Sequence, residues 1–220
     1  MEPVTALVNG KKIKIPLGLR IPPMNDYQDF ESWLYLERKY AVSLKEKLES
    51  GETSKHSIME EMINWSIRTE NEFKKVKLLR IEKKLVCLNL QIRISLNIEK
   101  PNLKRCIQLL QELNNLNFTS LMLTKNPQVV DTIDCVSRYE REVTQANSRL
   151  KQAEIIRESE EIKKMASKVI RKFRELFHVP DEKSFSEIYK EKQIIFIEHT
   201  AGMEQPEILT LTDESFLKFT

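Results

Sequence analysis

The chain has 220 residues, of which 31% are charged and 40% hydrophobic, with four glycines and a formal net charge of +3. That length buries a sizeable core, and scarce glycine with abundant Leu, Ile, Glu and Lys favours helices over a sheet protein. The longest apolar run, QIIFI at 193–197, is far too short to cross a bilayer, and Met1-Glu2-Pro3 opens no signal pattern, so a soluble, unsecreted protein is expected.

In chain order, residues 1–24 read as an N-terminal arm or small hairpin, because Asn9-Gly10 is a turn signal between two short β-prone stretches. A helical extension over 25–69 follows. Its first helix starts at Asp26 and carries Phe30, Trp33, Leu34, Ala41, Leu44 and Leu48 at three- and four-residue spacings, with Gly51 as its stop. Ser57 and Glu60 fit a capping box ahead of a second, short helix containing Met62 and Trp65. Beyond residue 70, Ile81, Leu85, Leu88 and Ile92 mark one face of a long helix ending near Leu96. The next helix places Leu103, Cys106, Ile107, Leu110 and Leu113 on one side, with Pro101 near its start. After a turn at TSLML, Asn126-Pro127 predicts the cap and first position of a helix that buries Val129, Ile133 and Val136 and reaches Tyr139. The polar stretch after Tyr139 is expected to lengthen a neighbouring helix. Ile162, Met165, Ala166, Val169, Phe173 and Leu176 define the last helix, which Pro180 closes. Residues 181–220 hold nine acids and four bases, and are expected as a flexible acidic tail.

Nothing in this pattern points to catalysis. His56, His178 and His199 lie in different regions with no repeated spacing to other ligand types, and no phosphate-cradling or nucleophile motif is present. Cys87, Cys106 and Cys135 are widely spaced and read as reduced, packed thiols. A non-enzyme with no cofactor and no metal is expected. Lys74, Lys75, Lys77, Arg80, Lys83 and Lys84 form a basic cluster. A solvated helix face is its commoner explanation, and RNA or DNA binding through it is the alternative function. The basic body and acidic tail permit one to dock on the other.

At SLNIEKPNLKRCIQLLQEL, residues 95–113, a helix ends in Ser-Leu-x-Ile-acid and the next opens with x-Arg-Cys-Ile-x-x-Leu-x-Glu-Leu. This stretch resembles the integrase-binding domain of lens epithelium-derived growth factor and its hepatoma-derived growth factor-related relatives. FTSLMLTKNPQVVDTIDCVSRY, 118–139, is similar to that domain's third and fourth helices, and EEIKKMASKVIRKFRELF, 160–177, to its last. The resemblance implies an all-α, compact right-handed bundle over 70–180, like the N-terminal domain of elongation factor TFIIS. It also implies a non-catalytic nuclear module of chromatin and transcription proteins, working as an adaptor or coactivator.

In the resembled family, two inter-helical loops at one end form an apolar pocket for a disordered partner motif, acidic residues followed by a Phe-x-Gly-Phe-like pair. Carried over, the first loop supplies Ile98 to the wall and Glu99 in place of an aspartate that accepts partner N–H groups. The second supplies Tyr139, with Arg138 beside it. This sequence departs from the pattern at Glu99, one methylene longer, at Arg141, where an apolar residue usually lines the pocket, and in an insertion after Tyr139. The family's PWWP chromatin-reading module is also missing. The ending LTDESFLKFT itself resembles the ligand: Asp213 and Glu214 precede Phe216 and Phe219, with Lys218 where the ligand has glycine. Occupation of the Ile98/Tyr139 pocket by this tail, in the same chain or a neighbour, is one reading. Rings tucked against the body, or left in a frayed end, are the other.

Overall fold

The computed structural model describes residues 1–24, 26–97, 99–140 and 149–217. They divide into two compact units, Met1–Leu78 and Leu79–Thr220.

The first unit opens with strands β1 (Val4–Val8) and β2 (Lys11–Ile15), paired antiparallel from Val4↔Ile15 to Val8↔Lys11. Asn9 and Gly10 both take positive φ, 48° and 76°, the two-residue turn whose twist suits a hairpin. Alternation then puts Ala6 and Ile15 on one face, where both are fully buried. That face packs on helix α1 (Tyr27–Glu49) through Ala41, Leu44 and Leu48, and on the start of helix α2 (Lys55–Ser95) through Ile58 and Met62. Asp26 caps α1 by accepting from the Asp29 N–H at 2.9 Å. Gly51, at φ 78°, ends it as expected. Tyr40 and Trp65 stack at 5.1 Å between the helices.

Helix α2 corrects the expectation of two separate helices. No glycine or proline interrupts residues 55–95, so the helical hydrogen-bond ladder has no reason to stop. The cap also lies three residues earlier than expected, at Ser54, whose hydroxyl accepts from the Ser57 N–H at 3.2 Å.

The second unit contains the remainder of α2 with α3 (Leu103–Asn115), α4 (Ser120–Lys125), α5 (Pro127–Ser137), α6 (Arg149–Leu176), α7 (Phe185–Thr200), α8 (Gln205–Thr210) and α9 (Asp213–Phe216). It is an all-α bundle. Leu85, Leu88 and Ile92 of α2, Cys106, Leu110 and Leu113 of α3, Val129, Ile133 and Val136 of α5, and Ile162, Ala166, Val169 and Phe173 of α6 are all buried, as the helical spacing predicts. Ile81 and Ile107 are half-buried instead. TSLML is helix α4 rather than a turn, capped by Thr119, which accepts from the Met122 N–H at 3.3 Å. Residues 149 onward lengthen the last expected helix, while 141–148 lie outside the described residues.

The segment expected as a flexible tail is largely helical. Phe185 and Tyr189 of α7 form an aromatic cluster with Phe173 and Phe177: Tyr189 meets Phe177 edge-on at 5.5 Å and stacks on Phe185 at 5.5 Å. The Tyr189 hydroxyl donates to the Leu123 carbonyl at 3.0 Å. Burying each such ring stabilises by about 1.5–3 kcal/mol, and the hydroxyl's desolvation is offset by its bond. Apolar spacing at Phe185, Ile188 and Tyr189 thus outweighs the acidic composition on which the tail expectation rested.

A buried polar cluster ties three helices. Glu82 of α2 accepts from the Lys125 ammonium at 2.6 Å and from the Asn126 amide at 2.8 Å. Lys125 also donates to the Leu209 carbonyl of α8 at 3.0 Å. Asn126 occupies the N-cap position of α5, but its side chain makes no cap bond.

Candidate functional site

Two inter-helical segments of the second unit frame the candidate site. The first joins α2 to α3. Its stems are tied where the Asn102 N–H donates to the Ser95 carbonyl at 2.7 Å, and the Asn102 side chain caps α3 by accepting from Arg105 N–H at 3.0 Å. Ser95 is itself buried and donates to the Ile92 carbonyl. Between the stems, the Asn97 side chain accepts from the Glu99 N–H at 3.3 Å, a turn that Asn forms readily. Glu99 is exposed, and Ile98 lies outside the described residues.

The second segment follows α5. Arg138 ends that helix, its N–H donating to the Cys135 carbonyl at 3.2 Å, and the Tyr139 N–H donates to the Val136 carbonyl at 3.1 Å. Tyr139 is half-buried. Arg138 is exposed and paired with Asp134 one turn back. Arg141 lies outside the described residues.

Ion pairs fix where these segments lie. Lys104, in the first turn of α3, reaches Glu154 of α6 at 2.8 Å and Glu158 at 3.6 Å. Glu140, next to Tyr139, reaches Lys163 of α6 at 3.0 Å. Glu154 and Lys163 are roughly 14 Å apart along the helix axis and, at about 100° per residue, on opposite sides of it, so the two segments flank α6 between residues 154 and 163. The hydrogen bond from Lys104 holds the Glu154 carboxyl below its usual range, and Glu154 in turn raises the Lys104 ammonium. Such exposed pairs orient more than they stabilise. The end of α3 lies farther along α6, where the Lys172 ammonium donates to the Asn114 and Leu116 carbonyls at 2.7 and 2.6 Å. Helices α3 and α6 therefore run in the same direction, and their starts share one end of the bundle.

Phe216 is not at that end. Its ring lies 5.7 Å from Phe196 and 5.9 Å from His199, both on α7, and it borders a cavity of about 780 Å³ together with Leu176 and Phe177, where α6 finishes. Lys163 and Leu176 are about 20 Å apart along the helix. In this chain the phenylalanine is thus tucked against the body rather than beside Tyr139. Asp213 is half-buried and Glu214 exposed, at the start of α9. Phe219 lies outside the described residues.

The basic cluster is dispersed. Lys74, Lys75, Lys77, Arg80, Lys83 and Lys84 all lie on α2, but at about 100° per residue they spread over more than half its circumference. Lys74 is paired with Glu70 at 2.8 Å.

Sequence reasoning missed Leu90 and Ile94, which are 56% and 63% exposed one turn apart on α2, leading directly into the first segment. The available signal was their placement off the buried Leu85, Leu88, Ile92 stripe. Together these groups offer apolar contact and a carboxylate acceptor. Among the described residues, no group of three His, Cys, Asp or Glu is arranged to hold a metal, and no helix is long and apolar enough to cross a membrane.

The family model of lens epithelium-derived growth factor (LEDGF) matches residues 82–199, which take in both segments and α7. It describes a protein-interaction domain of chromatin-associated proteins rather than a catalytic one. No solved structure matches the chain significantly.

Proposed function

Because the chain belongs to the lens epithelium-derived growth factor family, we propose that its bundle captures disordered, acidic, phenylalanine-containing motifs of nuclear transcription and chromatin factors, acting as an adaptor or coactivator. The observation that carries this reading is the family match over residues 82–199, which takes in both the Glu99 loop and the Arg138-Tyr139 segment. Tyr139 and Ile98 supply the apolar walls. A phenylalanine that leaves water there gains about 1.5–3 kcal/mol, and Leu90 and Ile94 extend the apolar surface along α2. Glu99 accepts partner backbone N–H groups, and its charge shortens and strengthens those bonds. Arg138 meets the motif's acidic residues while sharing its guanidinium with Asp134.

Calorimetric titration of the full chain with an Asp-Glu-Ser-Phe-Glu-Gly-Phe peptide tests the proposal. Tyr139→Ala is expected to weaken binding by roughly 1–3 kcal/mol, the scale of an interface anchor, with little change in melting temperature. Equal affinity in parent and variant refutes the assigned pocket.

A further inference from the structure

The two edges of the N-terminal hairpin are treated differently. Val8 and Lys11 flank a two-residue turn, so they are a hydrogen-bonded pair. Counting back along the register, Leu7↔Lys12 and Thr5↔Lys14 are the non-hydrogen-bonded pairs, whose backbone groups point away from the partner strand. On the β1 side this geometry is used: the outward N–H of Leu7 donates to the Glu49 carboxylate of α1 at 2.8 Å. On the β2 side, the outward N–H and C=O groups of Lys12 and Lys14 have no partner among the described residues. The side chains of Lys12 and Lys14 are exposed and make no ion pair there. Alternation places them on the face opposite buried Ala6 and Ile15, two residues apart.

We propose that the β2 edge is a second docking site, which takes an extended acidic peptide as a third strand, carboxylates at alternate positions lying against Lys12 and Lys14. The backbone supplies two donors and two acceptors in strand register, and alternate carboxylates match the period of the two ammonium groups. The same lysines select against the obvious competitor. A second copy pairing edge to edge would set lysine against lysine, and like charges placed opposite one another destabilise a strand pair. The edge is also rigidly presented, because Ala6 and Ile15 anchor the hairpin in the core with Leu44 and Met62. This site belongs to the first unit and does not depend on the motif-binding role proposed for the second.

The test uses the full ¹⁵N-labelled chain and a blocked Glu-Thr-Glu-Thr-Glu-Thr peptide. Binding is expected to shift the Lys12 and Lys14 amides and slow their exchange with solvent. Lys12→Glu with Lys14→Glu is expected to weaken binding on the order of tenfold or more, with Ile13 and Ile15 signals unchanged as evidence that the hairpin stands. Methylating alternate peptide nitrogens to remove the inward N–H groups is expected to abolish binding while leaving every charge in place. Undiminished binding of the methylated peptide would overturn strand addition, because charge alone would then suffice. So would shifts confined to the second unit, absence of binding, or an oligonucleotide that shifts the same amides at equal affinity.

Discussion

Glu37 gives the sharpest prediction about stability. It lies on the buried stripe of α1 between Trp33 and Ala41 and is fully buried. One carboxylate oxygen accepts from the Gly18 N–H at 2.8 Å, and the other has no partner among the described residues. Burial pushes the Glu37 carboxyl above its ordinary range, against the opposing pull of the Gly18 bond. The folded state therefore holds this proton more tightly than the unfolded chain. The resulting stability is fully present below the unfolded pKa of about 4.3, and it is lost as pH rises through the folded value. Between those limits a single group contributes a slope of at most about 1.4 kcal/mol per pH unit. Glu37→Gln keeps the shape and the acceptor for Gly18 while removing the proton equilibrium. At pH 4 parent and variant should differ little, since both side chains are neutral there. As pH rises, the variant should gain on the parent until Glu37 is ionised, then hold a constant advantage. Urea denaturation at half-unit steps from pH 4 to 8 measures this difference. Glu37→Leu is the companion, expected to cost about 1–3 kcal/mol at pH 4 because it strands the half-buried Gly18 N–H, a cost that shrinks as pH rises and the parent ionises Glu37. A Gln variant whose stability parallels the parent's at all pH values would mean the carboxylate is solvated, and the reasoning fails.

Three further outcomes follow from other contacts. Lys125→Met should destabilise the second unit by about 3–5 kcal/mol, since it leaves the buried Glu82 charge without its cation, and hydrogen exchange should rise in α8, which loses its bond at Leu209. Glu99→Gln should weaken peptide binding through loss of charge-assisted bonds, by about 1 kcal/mol with no change in melting temperature; an unchanged dissociation constant by calorimetry would place Glu99 outside the interface. Leu90→Ser with Ile94→Ser should lower peptide affinity without lowering thermal stability, because both side chains are exposed; equal affinity confines the site to the two inter-helical segments.

Where a local signal and a tertiary demand agree, the fold is legible in the residues. Asn9-Gly10 predicts a hairpin because few other pairs tolerate two successive positive φ angles, and the apolar stripes of α3, α5 and α6 predict their buried faces because period alone decides them. Glu37 was readable and overlooked: it falls four residues after Trp33 and four before Ala41, inside the stripe. A glutamate ordinarily marks the surface, yet its position on the helix overrides that. Phe185, Ile188 and Tyr189 were hidden by acidic composition in the same way. The unpaired β2 edge follows from turn length and register, neither of which exists until the strands are placed.

The ending of the chain separates what a motif says from what a fold permits. Asp213, Glu214 and Phe216 resemble the ligand of the domain that precedes them, and resemblance alone favours self-capture. Helix α6 decides the matter for Phe216 in cis. Its Glu154 and Lys163 hold Lys104 and Glu140, next to the two inter-helical segments, while Phe216 lies beside its last residue. A rise of 1.5 Å per residue makes the intervening helix a spacer of about 20 Å, and Phe216 is already engaged by Phe196 and His199. Moving it to Tyr139 requires breaking those ring contacts and unwinding α9 from its Thr212–Ser215 cap. A ligand from another chain requires neither, so the pocket proposed beside Tyr139 is expected to serve partners in trans rather than Phe216. Phe216→Ala should accordingly raise hydrogen exchange across 212–217 and leave peptide affinity unchanged. A gain in affinity on removing that ring would restore the tail as a competitor.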